Sequence, residues 1–178
     1  MRINRMEGNM KTAELTEKMI AFSKGNIHDI DHFIRVWTYA KTIGELEGAD
    51  AETQFIIEAA ALVHDIACPL CREKYGNTNG KNQEREGENL TREFLGDSGL
   101  SGNVIDRIAY LVGHHHTLCG IDGLDYRILI EADYIANASE NGYDSHNVGA
   151  FTEKYFKTES GKRIAKSVLC EGKLQRKA

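Results

Sequence analysis

Four side chains far apart along the chain, His32, His64, Asp65 and Asp133, are of the types that hold a transition-metal cation. Each falls on an apolar row of a helical pattern. His32 stands four residues before Val36 and seven before Tyr39, so it shares their stripe. His64 and Asp65 end the most apolar stretch of the protein, while Asp133 follows Leu129 by four and precedes Ala136 by three. Titratable groups taken out of water are costly unless they are paired or bound to a metal. Two imidazoles and two carboxylates aimed inward meet that condition with one divalent cation. Such a mixed nitrogen and oxygen set suits Mn, Fe, Co, Ni or Zn better than Mg or Ca. Taken singly, each residue has a plainer role open to it. His32 could be a hydrogen-bonded core histidine, His64 and Asp65 could cap a helix end, and Asp133 could neutralise Arg127. The joint pattern, on three separate core faces, is what points to a metal.

The run His114-His115-His116 is the most unusual local feature. Successive helical residues point about 100° apart, so at most two of the three can aim at one cavity. His115 continues the row of Ile108 and Val112 and is the first candidate to point inward; His116, four after Val112, is the second.

The elements that must position these groups read as helices throughout. Leu15, Met19 and Phe22 mark a first amphipathic helix that stops near Gly25 and Asn26. Phe33, Val36, Ala40 and Ile43 form the stripe of a second, ending at Gly48. Asp50 is a good N-cap for a third, which runs to Leu62 and Val63 and, apart from Glu58, is apolar on nearly every face. Cys68 to Lys81 reads as irregular, with Gly76, Asn77, Asn79 and Gly80 as breakers. A polar helix is expected over Gln83 to Leu95, another from the Ser101 cap through Val112, and another over about Leu124 to Ala138. Past Asn147, one or two amphipathic helices turn Phe151, Tyr155, Ile164 and Val168 inward. There is no alternating strand, internal repeat or linker, so the fold class is all-α. One domain over 1–178 is expected, with a core of 26–140 and C-terminal helices over 147–172 packed on it.

The bulk numbers agree. A chain of 178 residues with 41% hydrophobic and 28% charged residues suits one globular domain. The net charge of −5 argues against broad binding to nucleic acid or to an anionic membrane. The polar stretch Met1 to Lys11 has no apolar signal core, and no run reads as a transmembrane span, so a cytoplasmic protein is expected. Four cysteines then read as thiols rather than as a disulfide framework.

These residues resemble the HD-domain superfamily of metal-dependent phosphohydrolases. His32-Phe-Ile-Arg35-Val36 is similar to its first motif, Ala59-Ala-Ala-Leu-Val-His64-Asp65-Ile66 to the doublet that names it, and Glu131-Ala132-Asp133 to its last. The resemblance covers about Asp29 to Asn137 and implies a helical bundle, here of about seven helices. It implies that His32, His64, Asp65 and Asp133 are the metal ligands and that metal-activated water cleaves a phosphate ester. The substrate class implied is a nucleotide or another small phosphorylated metabolite. Asp65, His115 and Arg35 are the expected catalytic residues. Arg35, one turn from His32, would grip phosphate through its planar fork, or else pair with Asp31 or Asp65. Superfamily members with two metals use further histidines between the doublet and the last aspartate. Here His115, His116 and, in place of a histidine, Glu86 are the candidates for a second metal or for the substrate phosphate, although Glu86 also reads as a solvated helix residue. One ion is expected and two are open. Without a second ion, His115 would bind phosphate or act as general acid.

Other readings carry less. Cys68-Pro69-Leu70-Cys71 resembles the glutaredoxin redox motif, but a redox site of that kind needs a strand before it and a helix after it. Alanine at position 67 departs from the glycine that often follows His-Asp-Ile in the superfamily. The basic end (Lys162, Arg163, Lys166, Lys173, Arg176, Lys177) is interleaved with Glu159 and Glu171 and reads as a solvated face. A homo-oligomer is compatible with the sequence. The competing functions are a di-iron oxygenase on the same scaffold and a non-catalytic nucleotide sensor.

Overall fold

The computed structural model describes residues 10–170; the expectations for Met1 to Asn9, for Lys173, Arg176 and Lys177, and for the end of the C-terminal helices lie outside that range. The described residues form helices and turns with no strand: α1 (Thr12–Phe22), α2 (Ile27–Leu46), α3 (Ala51–Val63), α4 (Cys68–Tyr75), α5 (Gly80–Leu95), α6 (Gly102–Val112), α7 (Leu124–Glu140), α8 (Ser145–Tyr155), α9 (Glu159–Ala165) and a closing π-helical turn (Lys166–Cys170).

Side-chain caps set most of the starts. Asn26 accepts from the Asp29 amide, Asp50 from Glu52 and Thr53, Asn79 from Asn82 and Ser101 from Val104. Each satisfies amides that have no partner inside the helix. The expectation of an irregular stretch from Cys68 to Lys81 is corrected by α4. Pro69 lies in its first turn, where a missing N–H costs nothing, and Gly76 ends it at φ +68°, a conformation open to a residue without Cβ. Residues that read as breakers are the two ends of a short helix.

α3 is the centre. It packs on α1, α2, α6 and α7, while α2 and α7 also pack on each other, so the three ligand-bearing helices form one mutual contact. From Ile56 to Val63 every residue of α3 is buried, including Glu58. That carboxylate is tolerated because Trp37 Nε1 (2.9 Å), Gln54 Nε2 (3.0 Å) and Lys41 Nζ (3.2 Å) all donate to it. By length and mean hydropathy alone the stretch Ala51–Tyr75 is long and apolar enough to cross a membrane, a test that a buried core helix also meets. Most of it is buried inside the bundle, and a turn at 64–67 divides it.

Candidate metal centre

α3 ends where its chemistry begins. His64 is its C-cap and Asp65 follows in the turn, so both side chains leave the end of the most buried helix. His32, near the start of α2, and Asp133, in the middle of α7, reach the same point from either side. His32 Nε2 lies 3.2 Å from His64 Nε2, 3.3 Å from Asp133 Oδ1 and 3.6 Å from Asp65 Oδ2. His64 Nε2 is 3.5 Å from Asp133 Oδ1 and 3.6 Å from Asp65 Oδ1. His115, in the turn after α6, places its Nε2 3.6 Å from Asp65 Oδ1.

The three imidazoles are held in one sense. His32 Nδ1 donates to Glu140 (2.9 Å), His64 Nδ1 to the Ala61 carbonyl (2.8 Å) and His115 Nδ1 to the Val112 carbonyl (2.8 Å). With the Nδ1 protons directed outward, the Nε2 lone pairs converge on carboxylate oxygens that can only accept. His115 Nε2 is buried and has no hydrogen-bond partner. Such a knot of lone pairs needs a positive charge at its centre. The same need draws protons to it. Burial disfavours a charged His32, but the Asp133 hydrogen bond, the charges of Asp65 and Asp133 and the Glu140 hydrogen bond outweigh it and push its pKa up to about 9. His115 is likewise raised, burial opposing and Asp65 prevailing. Asp133 and Asp65, despite burial, are held well below the usual carboxylate range by the imidazoles beside them. A divalent cation would do the same work with one charge centre, and the donor set fits it.

His116 is brought to the edge of this centre: Asp65, His115 and His116 offer ligand atoms within 4.8 Å of one another, a second group that could hold a cation. Water reaches its ring, yet the walls of the concavity surround it. Burial and then the charge of His115 lower its pKa to about 4, so it stays neutral. His114 turns away, its Nδ1 on the Tyr110 carbonyl (2.7 Å) and its ring stacked on Tyr110.

Two expected residues do not reach the centre. Glu86 accepts from Lys74 (3.0 Å) and Tyr75 and pairs with Arg85, because Gln83, Gly87 and Thr91 are the buried row of α5. The carboxylate that faces the histidine turn is Glu84, accepting from the His116 amide (3.0 Å) and Thr117 Oγ1 (2.9 Å). Arg35 lies outside the pocket, 3.4 Å from Glu140, and lines a neighbouring groove. It pairs with neither Asp31 nor Asp65 but backs the carboxylate that orients His32.

Reading the sequence missed Glu140, Asn137 and Arg72. The first two were within reach. They follow Asp133 by seven and four on α7, and Asn137 Nδ2 donates to Asp133 Oδ1 at 2.7 Å. Arg72 depends on α4, whose helical turn carries it to the pocket wall, where it pairs with Asp29.

The centre floors a pocket of about 450 Å³. Cys68 is part of its wall as a free thiol, and burial together with Asp65 and Asp29 pushes its pKa up, which leaves a poor nucleophile.

The HD domain family model matches residues 29–138, which spans all four expected ligands. The chain belongs to the HD domain family. Solved structures share the fold. A predicted HD superfamily hydrolase from an uncultured Thermotogales bacterium is 22% identical with a TM-score of 0.66, covering 92% of this chain and 89% of that one. The Lin1889 protein of Listeria innocua is 19% identical (TM-score 0.58; 94% and 95% covered). Bacillus subtilis YpgQ, in complex with ADP, is 22% identical (TM-score 0.56; 93% and 90% covered). None of the curated proteins matches by sequence. This HD domain thus has the fold of HD superfamily hydrolases and carries His/Asp groups that could hold a metal of the kind HD domains bind.

Proposed function

We propose that this HD domain is a metal-dependent phosphohydrolase acting on a small phosphorylated metabolite, nucleotides among them. The observation that carries this is the convergence of the His32 and His64 Nε2 atoms on the Asp65 and Asp133 carboxylates at the floor of an open pocket, with His115 beside Asp65. His32, His64, Asp65 and Asp133 would hold the cation. A divalent ion there supplies a Lewis acid that polarises a phosphoryl oxygen and lowers the pKa of a water to about 7. The chain's own residues do the rest. Glu140 and the Ala61 carbonyl orient His32 and His64 through their Nδ1 protons, and Asn137 holds Asp133. His115, its Nδ1 on a carbonyl and its Nε2 without a hydrogen-bond partner, carries a proton at Nε2 toward the leaving oxygen. The pocket volume falls in the range of small-molecule sites, and YpgQ, of the same fold, was solved with ADP.

The test is phosphate release from a panel of phosphorylated metabolites, with Mn, Co, Ni, Zn and Fe supplied separately. Release that disappears in Asp65→Ala together with bound metal supports the reading; full metal stoichiometry in that variant counts against the assignment. The group Asp65, His115 and His116 favours a second reading, a two-iron oxygenase. Two irons per chain and oxygen consumption, with no phosphate released, would replace the first reading with that one.

A further inference from the structure

The walls of the pocket discriminate more than its floor. Among the described residues, Arg72 is the one Lys or Arg that lines it, and its guanidinium is shared with Asp29. Four carboxylates line it as well: Asp29, Asp65, Asp133 and Glu140. Even with a divalent ion bound and Arg72 counted, the four carboxylates leave an excess that only the buried His115, turned to Asp65, could offset. One phosphoryl group can meet the ion and Arg72; a second would find no cation and would face carboxylates, a repulsion that selects against it.

The mouth has the opposite character. Leu118, from the turn region after α6, and Tyr143, between α7 and α8, are 36% and 40% exposed, and both line this pocket. Behind Tyr143, Tyr134 meets it edge-on at 6.0 Å and stacks face to face on Phe151 at 3.8 Å, and both of these also line the pocket. Exposed apolar side chains gathered at a polar site mark a surface that apolar ligand area covers.

We infer that the substrate is a phosphomonoester with a single phosphoryl group on a leaving group that has a flat apolar face, with Leu118 and Tyr143 as the specificity-determining residues. This rests on the phosphohydrolase reading above. In the reaction the water oxygen bonds to phosphorus, the ester P–O bond breaks, and a proton ends on the leaving alcohol, giving alcohol and inorganic phosphate.

The test uses the full chain loaded with Mn. Turnover is compared for phenyl phosphate against glycerol phosphate and for a nucleoside monophosphate against its diphosphate. In parallel, calorimetry compares binding of a phosphonate analogue of the monophosphate with the α,β-methylene analogue of the diphosphate. The expected kcat/KM ratios favour phenyl phosphate and the monophosphate by about tenfold each, with a matching binding preference. Leu118→Ala and Tyr143→Ala should each draw the phenyl-to-glycerol ratio toward one through KM; Leu118→Ala keeps the test open should the tyrosine variant not fold. Faster turnover or tighter binding of the diphosphate overturns the single-phosphoryl inference and leaves the hydrolase reading standing. A ratio that neither variant moves overturns the role of the apolar mouth. Preferential binding of the monophosphonate without turnover of any ester would sink the hydrolase reading, and the substrate inference with it, leaving only a binding preference of the pocket; absence of both binding and turnover overturns the two together.

Discussion

Glu131 and Asp133 are two residues apart on α7, both carboxylates and both buried, at 1% and 7% exposure, yet they face different partners. Glu131 meets donors only: the amides of Lys157 (2.7 Å) and Thr158 (3.2 Å) and the Thr158 hydroxyl. Gly161 packs so closely on it that a Cβ there would strike both the carboxylate and the Thr158 hydroxyl. It ties the start of α9 to α7. Asp133 has one amide donor, Asn137, and otherwise faces imidazole nitrogens whose outward protons are already committed. Burial therefore does not distinguish a structural carboxylate from a site carboxylate. The partner atoms do: amide and hydroxyl donors satisfy the first, whereas the second is set among imidazole nitrogens with which it could share a cation.

The largest effect should come from Asp133→Ala. Phosphate release is expected to fall by about a thousandfold or more and bound metal to be lost, and the urea midpoint of the metal-free protein is expected to drop as well, because the imidazoles that hold the Asp133 carboxyl below its usual range lose their partner. Mass-spectrometric metal content and chemical denaturation read the two sides. A variant that keeps its metal would erase the contrast with Glu131. Glu131→Ala should cost stability alone, about 2–3 kcal/mol of folding free energy, because it leaves three donors unpaired in a buried place, with metal stoichiometry intact. If metal is lost along with stability, the two faces of α7 are not independent.

Glu140 sharpens the contrast, since it acts on the centre without touching the convergent nitrogens. Glu140→Ala should weaken metal binding by about 10–100-fold in a chelator competition, and Arg35→Ala should weaken it less, with KM for substrate unmoved in the latter. A KM effect of Arg35 would restore it as a phosphate contact. The smallest effect concerns Glu47, which reaches the same α9 segment from the end of α2. The Ser160 hydroxyl and amide hold its pKa below the ordinary 4.5. A depressed carboxylate adds stability above its unfolded pKa and loses it as pH falls through its folded value. Ser160→Ala should therefore cost under about 1 kcal/mol at neutral pH and flatten the loss of stability below pH 4.5 in thermal melts. A cost that persists unchanged at low pH would point to packing instead. Burial moves Glu131 the other way, to a raised pKa, despite its donors.

Much of this was legible in the chain. The helical periods over α2, α3, α6 and α7 followed from apolar spacing, and the caps at Asp50 and Ser101 are local chemistry; Asn26, read only as the stop of α1, also caps α2. His32, His64, Asp65 and Asp133 could be picked out because each occupies a core row where an unpartnered polar group is costly. α4 was hidden because Pro69 and Gly76 signal a break and a helix end equally well. Glu86 and Arg35 lie off the centre for a rotational reason. A residue one turn from a useful row still points some tens of degrees off it, so Arg35 meets Glu140 and Glu84 takes the place facing the histidines.

The sequence by itself determined which side chains are buried on which helix, because hydrophobic period and capping are properties of neighbours along the chain. Only the tertiary structure decided that the Nε2 atoms of His32 and His64 meet Asp65 and Asp133 at one point with His115 beside Asp65, that Arg72 rather than Arg35 lines the pocket, and that four carboxylates and an apolar mouth surround it. Those facts depend on how helices cross and rotate against one another, which no single helix encodes.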